Sequence, residues 1–379
     1  MQVKLSEHFT YKKLLTFTLP SILMMIFMSI YGVVDGYFVS NFAGEVPFAA
    51  INFIYPVIMV FGAVGFMFGA GGSALIAKTL GEGDKEKANR LFSMFVYTIF
   101  ILGVVLSVLG IAFIRPIAEL LRADDDMMEY CIVYARIIFA VMPLNMLQFA
   151  FQTFFSTAEK PTLGFIVTLI AGCANILLDA LFVAVFHWGL VGAAAATAIS
   201  QALGGIIPVI YFFCPNKSIL RLGKTSLDMP AMWKAITNGM SEFLSNVSMS
   251  VVGMLYNAQL MEYAGKKGVS AYGVLMYVGM IFIAVFIGYS MGMAPIIGFH
   301  YGAENEQEVK NVVKKSLILM GVTSVAMVLF SLALAYPLSM LFVGYNDELV
   351  KMTIRAFYFF SFCFLFAGLG IFGSSFLRH

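Results

Sequence analysis

Cys214-Pro-Asn-Lys-Ser-Ile-Leu-Arg-Leu-Gly-Lys-Thr-Ser-Leu-Asp-Met-Pro230 is the longest polar interruption in a chain that is otherwise apolar almost from end to end. Before it lie six long apolar segments, at 14–39, 47–78, 91–115, 128–156, 161–185 and 189–213. After it lie four more, at 231–262, 269–299, 313–336 and 349–377. A helix needs about 20 apolar residues to cross the hydrocarbon of a bilayer, and each of these segments is long enough. They carry glycines and prolines that helices tolerate, without the apolar–polar alternation of a membrane strand. A β-barrel is thereby excluded, and an all-α integral membrane protein is expected.

Composition agrees with this. Of 379 residues, 61% are hydrophobic and only 12% charged, with a mean hydropathy of +0.91. A soluble domain keeps about 25% charged residues because its surface meets water. Half that share means that most of this surface meets something else. A net charge of +2 is too small to hold a nucleic acid, so no such partner is expected. Cys131, Cys173, Cys214 and Cys363 show no CxxC spacing and read as small apolar fillers rather than a disulfide or zinc framework. The first apolar segment is long and lacks a small-residue cleavage site, so it is expected to stay as a helix.

Lysine and arginine set the orientation, because cytoplasmic loops hold the excess of positive charge. With the amino terminus inside, sixteen fall on cytoplasmic stretches: Lys4, Lys12, Lys13, Lys78, Lys85, Lys87, Arg90, Lys160, Lys217, Arg221, Lys224, Lys234, Lys310, Lys314, Lys315 and Arg378. Only five, Arg115, Arg122, Lys266, Lys267 and Lys351, fall outside, beside the acidic runs Asp124-Asp125-Asp126 and Asp347-Glu348. A cytoplasmic amino terminus follows. Arg136 and Arg355, near outer helix ends, read as snorkelling side chains.

The two sides of the interruption are related. A shift of 221 residues superposes Gly44 on Gly265, Ala50 on Ala271, Gly71 on Gly292, Gly81 on Gly302 and Pro116 on Pro337. Under the same shift Thr79-Leu-Gly-Glu-Gly-Asp84 falls on His300-Tyr-Gly-Ala-Glu-Asn305. Coincidence at one offset across so many landmarks argues for a duplicated unit. An even number of helices per unit makes both cross the membrane in the same sense. Two lobes about a pseudo-twofold along the membrane normal are expected, with a cleft between them. The expected division is an amino-terminal lobe at 1–213, a cytoplasmic linker at 214–230 and a partial carboxy-terminal lobe at 231–379. The second unit stops where the first has completed four helices, so the chain reads as a truncation of a twelve-helix protein.

Ionisable groups inside hydrocarbon are costly and are functional candidates by default. Asp35, Asp179 and Glu242 lie well inside apolar segments. Counting rise along each helix brings Asp35, Asp179 and Thr197 to a similar depth in the outer half of the first lobe. Asn175 shares a helix face with Asp179 at i, i+4. Two carboxylates, an amide and a hydroxyl suit a hard monovalent cation such as Na+. The same pair could share a proton, or each group could be satisfied separately. Pro20 removes a backbone hydrogen bond from the first helix and invites a kink, which serves either as a gate or as nothing more than a tolerated proline. Glu242, near mid-membrane at the repeat position of Ser21, suits a cationic substrate, a second proton, or a plain hydrogen-bonded carboxyl. The 25 methionines and 38 phenylalanines offer adaptable surface for apolar cations, with no single one marked out.

At these residues the chain resembles the multidrug and toxic compound extrusion (MATE) family. The resemblance rests on Trp188-Gly-Leu-Val-Gly-Ala-Ala-Ala-Ala-Thr-Ala-Ile-Ser-Gln201, Asn175-Ile-Leu-Leu-Asp179, Val34-Asp35-Gly36, Gly81-Glu-Gly-Asp84 and Ala158-Glu-Lys-Pro161. It implies a two-lobe helical bundle in the cell membrane that exports drugs and organic cations against inward flow of Na+ or H+. It also implies a coupling site built from Asp35, Asn175, Asp179 and Thr197, with a bendable proline at Pro20. The expected partners are small cationic amphipathic molecules and the lipid bilayer, the expected state is a monomer, and no organic cofactor is called for. The alternative within the fold, a flippase for lipid-linked oligosaccharide precursors, would need a cleft lined with cations. An enzyme would need a constellation such as HExxH or GxSxG, and neither is present.

Overall fold

The computed structural model describes residues 3–121, 125–343 and 346–376. Arg122, Asp124, Arg378 and the side chains of Asp125, Lys266 and Lys267 lie outside the described residues. Among the described residues all regular structure is helical. The helices are α1 Tyr11–Phe38, α2 Glu45–Gly81, α3 Lys85–Leu120, α4 Asp125–Ala140, α5 Met142–Thr157, α6 Pro161–Asp179 and α7 Gly189–Phe213. After the linker come α8 Met229–Gly302, α9 Glu306–Val343, α10 Asp347–Phe360 and α11 Cys363–Phe376. By length and hydropathy, seven stretches could span a membrane, or nine if the pairs α4–α5 and α10–α11 each count as one.

Three of the expected segments differ in form. The segment at 128–156 is two helices bent by 62°, and 349–377 is two helices bent by 46°. Pro143, in the first turn of α5, has no N–H to continue the ladder of α4, so the bend falls there. The segments at 231–262 and 269–299 were expected as separate spans, yet helical hydrogen bonding runs through all of Met229–Gly302. A straight helix would place Tyr256 and Tyr272 about 24 Å apart. Their rings instead stack with centroids 5.5 Å apart, so the path of α8 reverses between them. The two arms return to one partner. The carbonyl of Ala235 lies against Gly71 of α2, and that of Phe299 lies against Gly81 of the same helix.

The first bundle is organised around α5, whose side chains from Met142 to Thr157 are buried almost without exception. Phe92, Phe151, Phe154, Phe155 and Phe212 pack edge-on and face-on where α3, α5 and α7 meet. Between α7 and α8 the linker is pinned to α3. The N–H groups of Arg221 and Gly223 donate to Asn89 Oδ1 at 2.6 Å and Ser93 Oγ at 3.0 Å.

Residues before α1 form a strap across one end of the molecule. The Leu5 N–H donates to Glu159 Oε1 at 2.7 Å, between α5 and α6. The Phe9 N–H donates to Glu308 Oε1 of α9 at 2.8 Å, and Lys315 Nζ donates to the Phe9 carbonyl at 2.7 Å. Phe9 itself is fully buried between Phe17 and His300. The strap thus ties the helices on either side of the linker together at the end that carries the amino terminus.

Candidate functional site

α1 brings Asp35, α6 brings Asn175 and Asp179, and α7 brings Thr197. The Asp35 carboxyl faces Asp179, Thr197 and Asn175, near enough for their side chains to interact. All four predicted members therefore meet in one place. Asp179 and Asn175 are almost wholly buried. Strict hydrogen-bond geometry is nevertheless met by none of Asp35 Oδ1, Asn175 Oδ1, either Asp179 carboxylate oxygen, or Thr197 Oγ1. Buried oxygens without a donor cost on the order of 1–3 kcal/mol each, more for a carboxylate. Their convergence is the chemistry of a site that takes a proton or a small hard cation. Among the described residues no three His, Cys, Asp or Glu come together, so the donor set is mixed oxygen rather than the imidazole and thiolate that suit transition metals.

Local backbone supports the arrangement. Both carboxylate-bearing helices end in π-helical turns directly beyond the site, Val39–Ala43 after α1 and Ala180–Val185 after α6. A π turn is uncommon and recurs at functional sites, because it re-aims the side chains around it. The Val39 N–H is shared between the carbonyls of Asp35 and Gly36. Val39, Val183 and Ala193 pack into an apolar plug on this side, with exposures of 2%, 0% and 1%. Water and ions must therefore arrive from elsewhere.

Sequence reading missed three members. Tyr31, Tyr55 and Tyr134 are the titratable neighbours of the carboxylates, and the Tyr134 hydroxyl faces Thr197. Tyr31 stands at i−4 from Asp35 and was accessible to a helix-face count. Tyr55 and Tyr134 come from α2 and α4, and nothing in the linear spacing marks them. Beyond the tyrosines a file of amides extends along α7 and α5. Gln201, one turn from Thr197, and then Gln148 and Gln152 each hold a side-chain oxygen without a partner. A cavity with room for about one water molecule opens beside Gln148, Gln152 and Thr168.

The structure does not bring every predicted residue here. Glu242 lies on the first arm of α8, three residues beyond Gly239, whose backbone sits against Met67 of α2. It is not among the groups that Asp35 or Asp179 face. Pro20 lies 15 residues before Asp35 within an unbroken α1, where Thr18, Ser21 and Ile22 meet Gly288 and Gly292 of α8 without clearance. Arg136 and Arg355 are both exposed.

Comparison with known proteins follows the same lines. The family model MatE matches residues 20–181 and 243–379. The chain is 29% identical over 317 residues to the multidrug export protein MepA of Staphylococcus haemolyticus (strain JCSC1435), covering 83% of this chain and 70% of that protein. It is 25% identical over 366 residues to the MepA of Staphylococcus saprophyticus, covering 95% and 81%. Among solved structures, a crystal structure of MATE in complex with MaL6 superposes with a TM-score of 0.91 at 21% identity, over 98% of this chain and 84% of that one. An outward-facing multidrug resistance MATE family transporter of the MOP superfamily superposes with a TM-score of 0.88 at 22% identity, over 98% and 83%.

Proposed function

Because this chain belongs to the MATE family, we propose that it exports amphipathic organic cations across the cell membrane, driven by Na+ or H+ flowing the other way. The observation that carries this is the convergence of Asp35, Asn175, Asp179 and Thr197 from three helices, their oxygens turned toward one another without partners. The names of the staphylococcal relatives, multidrug export proteins, supply the cargo class.

In this mechanism the coupling cation enters from the outer side and is held by the two carboxylates, the Asn175 amide oxygen and the Thr197 hydroxyl. A proton would serve by bridging Asp35 and Asp179, which relieves the repulsion of two carboxylates in a dry cavity. Sodium would serve by coordination to the same oxygens. Either ligand moves the conformational equilibrium only by binding one state better than the other. α1 is the element placed to respond, since it carries Asp35 at one end and Pro20, where the helical ladder lacks a bond, toward the other. Bending there shifts Asp35 relative to α6 and α7 and changes how well the cation is held. Reciprocally, an occupied site favours one shape of α1 and hence one opening of the cleft to substrate.

Reconstitution in proteoliposomes with sodium and pH gradients imposed separately identifies the driving ion. Asp35→Asn and Asp179→Asn are expected to abolish gradient-driven export of a fluorescent cation while leaving the protein folded. Export by both variants at the unmodified rate would overturn the proposal.

A further inference from the structure

The 221-residue shift that relates the two halves places Tyr256 at the position of Asp35 and Arg355 at the position of Tyr134. In the first half Tyr134 is the residue whose hydroxyl faces Thr197 beside both carboxylates. The second half therefore sets a guanidinium where the first sets a phenol against an acidic cluster.

α10 shows how that guanidinium is presented. Asn346 caps the helix by accepting from the Leu349 N–H at 3.1 Å. Leu349, Val350, Thr353 and Phe357 are buried against α8 and α9. The other face carries Lys351, Met352, Arg355 and Phe359, which line a groove with about 430 Å³ of open space. Lys351 and Arg355 stand at i, i+4, so two like charges share one stripe and repel. Among the described residues neither is in an ion pair. A planar guanidinium beside an ammonium matches a carboxylate, and Met352 and Phe359 (73% exposed) offer adaptable apolar surface for the body of an amphiphile.

We propose that Lys351 and Arg355 receive the carboxylate of substrates that carry both a cation and an anion, and so set the preference of the second half for zwitterions over plain cations. The inference rests on the efflux reading above, and it deepens the substrate class. The occupant is an amphiphile rather than an anionic lipid, because the groove has the volume of a whole small molecule and the duplication aligns it with a site inside the first bundle.

The test uses the full chain in nanodiscs of phosphatidylcholine alone and two dyes of one skeleton. Rhodamine B carries a free carboxylate, and rhodamine 6G carries an ester in its place. By fluorescence anisotropy, Arg355→Gln and Lys351→Gln should each weaken rhodamine B about tenfold and leave rhodamine 6G unchanged, while Arg355→Lys retains part of the discrimination. Equal loss of both dyes, or no loss of either, overturns the inference alone. Failure of the unmodified chain to bind either dye overturns the efflux reading and this inference with it. Arg355-dependent thermal stabilisation by phosphatidylglycerol, with rhodamine B unaffected by the substitutions, would assign the groove to lipid and also overturn it.

Discussion

Gly81 and Gly302 lie back to back where α2 meets the second arm of α8, each backbone pressed on a carbonyl of the other helix: Phe299 for Gly81, and Lys78 for Gly302. The two contacts are one contact seen twice, since the 221-residue shift turns Gly81 into Gly302 and Lys78 into Phe299. Lys78 also sits over the Tyr301 ring at 5.2 Å. No side chain fits between these backbones. Gly81→Ala and Gly302→Ala should therefore each force the helix ends apart and cost about 1–3 kcal/mol. The double variant should cost less than their sum, because the first substitution already opens the gap for the second. Thermal unfolding of the single and double variants checks this.

At the candidate site, Thr197→Val keeps shape and removes one oxygen, whereas Thr197→Ser keeps it. If sodium is the coupling ion, the valine variant should need about tenfold more sodium for half-maximal export, as expected for loss of one ligand worth about 1–1.5 kcal/mol. The serine variant should behave nearly as the parent. Sodium titration of export in proteoliposomes measures it.

Phe9 anchors the strap with a fully buried ring, 6.3 Å from Phe17 and 6.2 Å from the His300 ring between centroids. Phe9→Ala should cost about 3–5 kcal/mol if the site cannot collapse. It should also release the segment before α1 to limited proteolysis at protease levels that leave the parent intact.

Glu159 makes the other end of the strap sensitive to pH. Burial pushes its carboxyl above the usual carboxylate range, against the lowering effect of the Leu5 N–H bond and of Lys4 and Lys160. Below the ordinary value the carboxyl is protonated whether the strap is docked or not. As pH rises, the undocked form ionises first, so docking weakens until the docked carboxyl also ionises, and then levels off. Glu159→Gln keeps an acceptor for Leu5 without this titration. Stability measured from pH 4 to 8 should fall over the acidic part of that range in the parent, and the fall should be absent in the variant.

The apolar runs, the linker and the repeat by themselves dictated a helical membrane protein with two related halves. Hydrophobic length and a fixed offset are properties of the linear chain, and the membrane leaves few structures to choose from. Depth arithmetic even brought Asp35, Asn175, Asp179 and Thr197 to one level, because rise per residue is nearly constant along a helix. Only the folded chain decided that these residues face one another, since which way a helix is rotated depends on what packs on its other sides. Tyr55 and Tyr134 joined the site for that reason, each coming from a helix whose spacing carries no mark of it. The reversal within α8, the bend at Pro143 and the strap across Glu159 and Glu308 belong to the same class. They are settled by contacts between residues far apart in sequence, where no local periodicity reaches.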